Sequence, residues 1–260
     1  MLKFTKKINK LIVFIGMLIG CQKLCSEPIP YELVAGCAEI YIDPATEEIG
    51  HTWSNGSVWD KDLIRRFYME LKKHQDFFVM IDLGAQTGSF TLLAKYFPSS
   101  MWYAFEPLQE AANILEKNLR INNISNVTVF QKAVSNFNGK AILKMPDKCN
   151  WGCSTIGDTL IRAHSLEERE VDSVRLDDFF LTHQIDRIDF MKLDTEGSEL
   201  AILKGAEKLI RKNMPIILME YNEINMKQCG VLKKEVDQFL RSLGYKWKLI
   251  SSEDILCIPL

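Results

Sequence analysis

Apolar runs in this chain repeatedly stop at an acid, and acids in that position can hold a nucleoside and handle a proton. Asp82 follows the run Phe77–Ile81 and leads through Leu83 into Gly84, Ala85, Gln86, Thr87 and Gly88. A turn without side chains at Gly84 and Gly88 lets backbone N–H groups and the start of the next helix approach a ligand closely. Glu106 closes the next run, Met101–Phe105. It lies one β-α-β unit on, where a carboxylate accepts hydrogen bonds from both ribose hydroxyls.

Two further runs end the same way. Ile188–Leu193 leads into Asp194, Thr195, Glu196, Gly197, Ser198 and Glu199, and the run from Met214 ends at Glu220. Ligands of open α/β sheets bind beyond the carboxyl ends of the strands, so Asp194 and Glu196 are expected to share a crevice with Asp82 and Glu106. So many carboxylates favour a cationic sulfonium nucleoside, S-adenosylmethionine, over a phosphate-bearing cofactor, which they would repel. A dinucleotide fingerprint would also need glycine where Gln86 stands. For Glu199 the simpler reading is preferred, an acid in a helix first turn.

The elements that must position these groups alternate. Leu63, Ile64, Phe67, Tyr68 and Leu71 recur at helical spacing between Asp60 and Gln75. Strands are expected at 77–81, 101–105, 127–130, 171–176, 188–193 and 214–220, with a final pair at 245–250 and 255–259. Ser89 is the expected N-cap of a helix running to Pro98. Helices are expected after Glu106, after Glu199 through Ile210, and from Leu232 to Ser242. Asn138-Gly139 marks a tight turn.

A chain of 260 residues suits one α/β domain plus a short extension. The expected division is a leader at 1–21, an irregular extension without its own core at 22–59, and the main domain at 60–260. Lys3, Lys6, Lys7 and Lys10 stand in the first ten residues; without them the formal charge of −2 becomes −6, so nothing suggests a nucleic-acid footprint. These lysines precede the apolar run Leu11–Gly20, of signal-peptide length. Leu18-Ile19-Gly20-Cys21 resembles a lipobox with Cys21 as the lipidated residue; a plain cleaved signal and an uncleaved anchor are the alternatives. The expected location is therefore exported or membrane-associated, on either face, with a membrane tether through the N-terminus.

Of the seven cysteines, Cys149 and Cys153 share a loop and are the nearest pair, although spacing does not fix connectivity. The four histidines are scattered and no second Cys or His pair lies at ligand spacing, so zinc is disfavoured and no metal is assigned.

Taken together, the segments resemble the FkbM family of S-adenosylmethionine-dependent methyltransferases over about 77–223. The carrying residues are Ile81-Asp82-Leu83-Gly84-Ala85 with Gly88; Phe105-Glu106-Pro107; Ala133-Val134-Ser135; Val174-Arg175-Leu176-Asp177-Asp178; Lys192 through Glu199 with Leu203-Lys204-Gly205-Ala206; and Ile217-Leu218-Met219-Glu220. The resemblance implies an α/β class I methyltransferase fold, Rossmann-like, with a doubly wound seven-stranded sheet. It also implies O-methylation of a hydroxyl on a sugar, glycan or natural product.

By the same resemblance Asp82 and the turn Gly84, Ala85, Gln86, Thr87 and Gly88 would line the methionine and ribose side of the cofactor. Glu106 would take the ribose hydroxyls and Ala133 border the adenine, although Gln131 and Lys132 precede it where many methyltransferases place an acid. Asp194 would lie near the methyl donor, with Glu196 beside it and Glu220 at the next strand tip. The segment 150–155 is a candidate substrate wall, in which Trp151 is otherwise a packing aromatic. Methyl transfer to an alcohol needs a group to take its proton. Asp194 is the first candidate, then Glu196 or Glu220, with His164 and His183 as alternatives. Competing functions are a non-catalytic nucleoside-binding module and a nicotinamide-dependent oxidoreductase.

Overall fold

The computed structural model describes residues 28–43, 53–54, 57–58, 61–74, 77–146, 151–157 and 166–260. The expected leader with Cys21, and Cys149, Asn150 and His164, lie outside these residues, as does the side chain of Trp151. Among the described residues no helix is long and apolar enough to cross a membrane.

In chain order the elements are β1 (Ile29–Tyr31), β2 (Ile40–Ile42), β3 (Trp53–Ser54), β4 (Ser57–Val58), α1 (Lys61–Leu71), β5 (Val79–Leu83) and a 3-10 turn (Thr91–Tyr96). Next come β6 (Met101–Phe105), α2 (Gln109–Ile121), β7 (Val127–Phe130), β8 (Ala133–Val134), β9 (Gly139–Pro146), β10 (Leu166–Val174) and α3 (Leu176–Thr182). The chain then forms β11 (Phe190–Leu193), α4 (Glu199–Gly205), α5 (Glu207–Asn213), β12 (Ile216–Glu220), α6 (Glu223–Gln228), α7 (Lys233–Ser242), β13 (Tyr245–Leu249) and β14 (Asp254–Pro259).

A seven-stranded sheet runs in the order β13-β14-β12-β11-β5-β6-β7. From β12 to β7 every pairing is parallel, while β14 runs antiparallel to both of its neighbours. This is the class I methyltransferase fold. Helices cover both faces. On one, Ile81, Leu83, Met191 and Met219 pack against α3, α4, α5 and α7; on the other, Met80, Trp102 and Phe190 pack against α1, α2 and the 3-10 turn. Burial on both faces is why these strands read as unbroken apolar runs.

Register fixes the site. Leu83 stands opposite both Phe105 and Leu193, and Leu193 stands opposite Met219. The residues that follow, Gly84, Glu106, Asp194 and Glu220, therefore line one edge of the sheet.

Several local expectations give way to tertiary contacts. The extension before α1 is part of the core: Tyr31, Leu33, Val34, Ile40 and Ile42 are buried with α1. Its β2 strand is also tied to α2, where Asn122 bonds both backbone groups of Tyr41 and Asn118 accepts from Asp43 N–H. The helix expected from Ser89 is the 3-10 turn, with Phe90 at its cap position and no side-chain cap. The helix expected through Ile210 breaks at Ala206, because the Asp177 carboxylate accepts from Lys208 N–H and Leu209 N–H and so caps a separate α5. Residues 171–174 belong to β10 in a second sheet, β8-β10-β9, and Leu176 already opens α3.

Phe190 joins these layers, fully buried and edge-on to Phe67 and Phe78. Phe190→Ala is expected to cost about 3–5 kcal/mol, the range for emptying an aromatic site in a packed core. Urea unfolding of both proteins measures it, and a loss under about 1 kcal/mol would contradict the packing.

Candidate active site

Beyond the shared edge lies a cavity of about 630 Å³ whose walls include Gly84, Gln86, Glu106, Asp194, Glu196 and Glu220. Its size is within the range of small-molecule and cofactor sites, about 300–1,000 Å³.

Glu106 sits at the tip of β6, 7% exposed. One carboxylate oxygen accepts Gln86 N–H and the other Leu108 N–H, each at 2.9 Å. Gln86 reaches that oxygen because its backbone is left-handed, at φ +49°. Burial pushes the Glu106 carboxyl up to about 7; the two N–H groups and Lys192 oppose the shift, and Asp82 adds to it.

The glycines answer to packing within the protein. A Cβ on Gly84 would fall 2.0 Å from the Asp194 carbonyl oxygen, and one on Gly88 would fall 2.6 Å from Leu115. Gly84 still borders the cavity, but Ala85, Thr87 and Gly88 are not on its wall, contrary to the expectation that the whole turn lines it. Ala85 and Thr87 are buried, and Asn118 donates to the Thr87 carbonyl.

Asp82 is also off the wall. Alternation along β5 turns it away from the face shared by Ile81 and Leu83, toward Thr91 and Lys192. Thr91 Oγ1 donates to Asp82 at 2.6 Å, and Lys192 Nζ lies 3.3 Å from the other oxygen. The same ammonium is 3.4 Å from Asp194, donates to the Gly84 carbonyl and stands 4.9 Å over the Phe90 ring. Burial alone would lower the Lys192 pKa; Asp82 and Asp194 overcome it and hold the value above the ordinary lysine range. Lys192 is a site residue that the pattern of acid-tipped strands does not mark. The signal was a lysine inside an otherwise apolar strand, since a buried ammonium must be paired.

The acids at β11 and β12 converge. Glu196 is held left-handed at φ +54°, followed by Gly197 at +104°. Glu199 does open α4, as expected, and its buried carboxylate also closes the preceding turn by accepting from Thr195 N–H, Thr195 Oγ1 and Gly197 N–H. Asn225 Nδ2 donates to both Glu196 and Glu220, at 2.6 and 2.7 Å. Asn225 was missed because α6, six residues long, is too short to show periodicity. Burial raises the Glu220 carboxyl well above the usual range, and Glu199, Asp194 and Glu196 push it further.

Ala133 reaches the wall with Lys132 and Val134, and residues 152–155 line it as expected of the 150–155 segment. His183 does not line the cavity: it stacks on Phe179, with Nδ1 2.8 Å from the Phe179 carbonyl. The loop Ser251–Asp254, which sequence reasoning left unassigned, completes the rim.

A model described as "Methyltransferase FkbM domain" matches residues 82–247. Methyltransferase 1 of Beauveria bassiana (strain ARSEF 2860) is 29% identical over 144 residues, which is 49% of this chain and 58% of that protein. Methyltransferase sdnD of Sordaria araneosa is 28% identical over 161 residues, 50% of this chain and 60% of that protein. The chain thus spans under two thirds of either relative. Among solved structures, methyltransferase FkbM from Methylobacillus flagellatus KT aligns with a TM-score of 0.48 at 19% identity, covering 71% of this chain and 44% of that one. Precorrin-6y C5,15-methyltransferase from Geobacter metallireducens GS-15 gives 0.48 at 14% identity, covering 88% and 97%.

Removing the shared ammonium should show what it holds. Lys192→Met leaves buried Asp82 without its cation and is expected to cost about 3–5 kcal/mol. Adding Asp82→Asn should recover part of that loss in chemical denaturation. A double variant no more stable than Lys192→Met would show that the pair is not the reason.

Proposed function

From the premise that this chain belongs to the FkbM family of S-adenosylmethionine-dependent methyltransferases, we propose that it binds S-adenosylmethionine in the edge cavity and O-methylates a hydroxyl of a sugar, glycan or natural product. The observation that carries the reading is one cavity walled by Glu106 from β6 and by Asp194, Glu196 and Glu220 from β11 and β12.

These residues suit the cofactor. Each Glu106 oxygen holds one N–H and keeps a lone pair for a ribose hydroxyl. Ser198 Oγ, on the cavity wall and buried, has no hydrogen-bond partner among the described residues. Acidic walls attract a sulfonium and an ammonium and repel a pyrophosphate, which favours this reading over a nicotinamide enzyme.

When bound, the cofactor supplies an electrophilic methyl group. The chain's part is to fix the adenosyl end through Glu106 and to hold an acceptor hydroxyl at the Asp194 end. Proximity of that kind supplies much of an enzyme's acceleration. Asp194 is placed to take the hydroxyl proton on its carboxylate, with Glu196 and Glu220 beside it. The lysines and apolar run of residues 3–20 support export or a membrane tether, and mass spectrometry of the mature N-terminus tests that.

Transfer of a labelled methyl group to a panel of glycans and hydroxylated small molecules tests the activity. Asp194→Asn is expected to lower kcat by about 10²–10⁴-fold while changing the S-adenosylhomocysteine Kd little. Binding of S-adenosylhomocysteine with no transfer to any acceptor would favour a non-catalytic module.

A second expectation concerns pH. Folding raises the Glu106 carboxyl from 4.5 to about 7, so between those values the folded chain keeps a proton the unfolded chain has lost. The contribution of this group to stability therefore falls as pH rises through that window. Ribose binding needs the ionised form, so S-adenosylhomocysteine should bind about tenfold more tightly at pH 8 than at pH 6. Calorimetry on Glu106→Gln should give weaker binding with a flat profile. A flat profile in the parent protein would remove Glu106 from the ribose site.

A further inference from the structure

The carboxylates facing the acceptor end of the cavity are spaced for more than proton transfer. One oxygen each from Asp194, Glu196 and Glu220 lies within 4.8 Å of the other two. Oxygens bound to one Mg²⁺ at about 2.0–2.1 Å stand roughly 3 Å apart when adjacent and roughly 4 Å when opposite; longer Ca²⁺ bonds widen this to roughly 5 Å. The three oxygens therefore fit around one hard cation after small side-chain adjustments.

An independent sign comes from Glu220. It is 9% exposed and lines the cavity, and Oε1 accepts from Asn225, but Oε2, which is also buried, has no hydrogen-bond partner among the described residues. A buried carboxylate oxygen left unpaired is costly. Among the described residues no lysine or arginine forms an ion pair with Glu220, and Lys192 is committed to Asp82 and Asp194. Glu199, which closes the turn before α4, is a further buried carboxyl next to this group in the chain.

We propose that Asp194, Glu196 and Glu220 bind a divalent cation, Mg²⁺ or Mn²⁺, at the acceptor end of the cavity. All-oxygen donors suit these hard ions, whereas thiolate and imidazole, the usual zinc and copper ligands, are absent from the three. Three protein ligands leave about three of six positions for water or acceptor oxygens. An acceptor hydroxyl bound there becomes more acidic and releases its proton to solvent. Its oxygen then bonds to the methyl carbon as the carbon–sulfur bond breaks, and that electron pair stays on sulfur as a thioether. In this arrangement the carboxylates act through the cation. The catalytic role rests on the methyltransferase reading; cation binding does not.

The test is Mn²⁺ titration of the EDTA-stripped full chain, following free Mn²⁺ by electron paramagnetic resonance, with and without saturating S-adenosylhomocysteine. One Mn²⁺ per chain is expected. Disturbing groups that only orient metal ligands already costs about 10–100-fold in affinity, so Glu220→Gln and Glu196→Gln should each weaken binding by at least about tenfold. Asp186→Asn, on an exposed acid paired with Lys212, should leave it unchanged.

Mg²⁺ should also raise the Tm of the parent protein but not of Glu220→Gln. This thermal comparison and Glu196→Gln keep the test decisive if one variant folds poorly. Absence of stoichiometric Mn²⁺, or equal affinity in Glu220→Gln, overturns the proposal. Loss of Mn²⁺ in proportion to added S-adenosylhomocysteine also overturns it, by placing the cofactor's ammonium among the three acids. S-Adenosylhomocysteine binding without Mn²⁺ binding defeats the cation site alone; Mn²⁺ binding without S-adenosylhomocysteine binding defeats the methyltransferase reading instead.

Discussion

Beneath the cavity one ammonium group joins the two strands on which the site is built. Lys192 on β11 stands opposite Asp82 on β5, and its Nζ reaches Asp82, Asp194 and the Gly84 carbonyl. A lysine 4% exposed loses its hydration, which costs several kcal/mol unless well-placed opposite charges offset it. The carboxylates, the carbonyl and the Phe90 ring do so together. The glycine turn, the 3-10 turn through Thr91 and the tip of β11 are thereby held to one buried charge.

Charge above that floor is unbalanced. Lys192 answers Asp82 and Asp194, whereas Glu196, Glu199 and Glu220 are met by amide and hydroxyl donors from Asn225, Thr195 and Gly197. An acidic wall of this kind favours a positively charged ligand over a phosphate. Glu106 stands apart at the other end, satisfied by two backbone N–H groups. Two backbone donors fix the carboxylate at one end, and one shared amide fixes two carboxylates at the other.

Much of this was legible in the chain. The runs before Asp82, Glu106, Asp194 and Glu220 became adjacent parallel strands, and the closing pair at 245–250 and 255–259 became β13 and β14. Placement by side chain was less legible. Asp82 looked like a wall residue because it ends an apolar run as the others do, yet it lies inside the strand and alternation turns it to the opposite face. Gly84 and Gly88 looked like openings for a ligand, but the space is filled by Asp194 and Leu115. The extension before α1 looked coreless because its few apolar residues complete a core shared with α1 instead of forming a separate one.

The sequence by itself determined which apolar segments form the central strands of the seven-stranded sheet and that Glu106, Asp194 and Glu220 stand at their tips, because burial on both faces writes a continuous apolar run into local sequence. Tertiary structure alone decided that Asp82 turns away from the cavity to pair with Lys192, and that Glu196 and Glu220 meet at Asn225. Those outcomes depend on register between strands far apart in the chain and on the cost of burying unpaired charge, and neither is a property of any local stretch of residues.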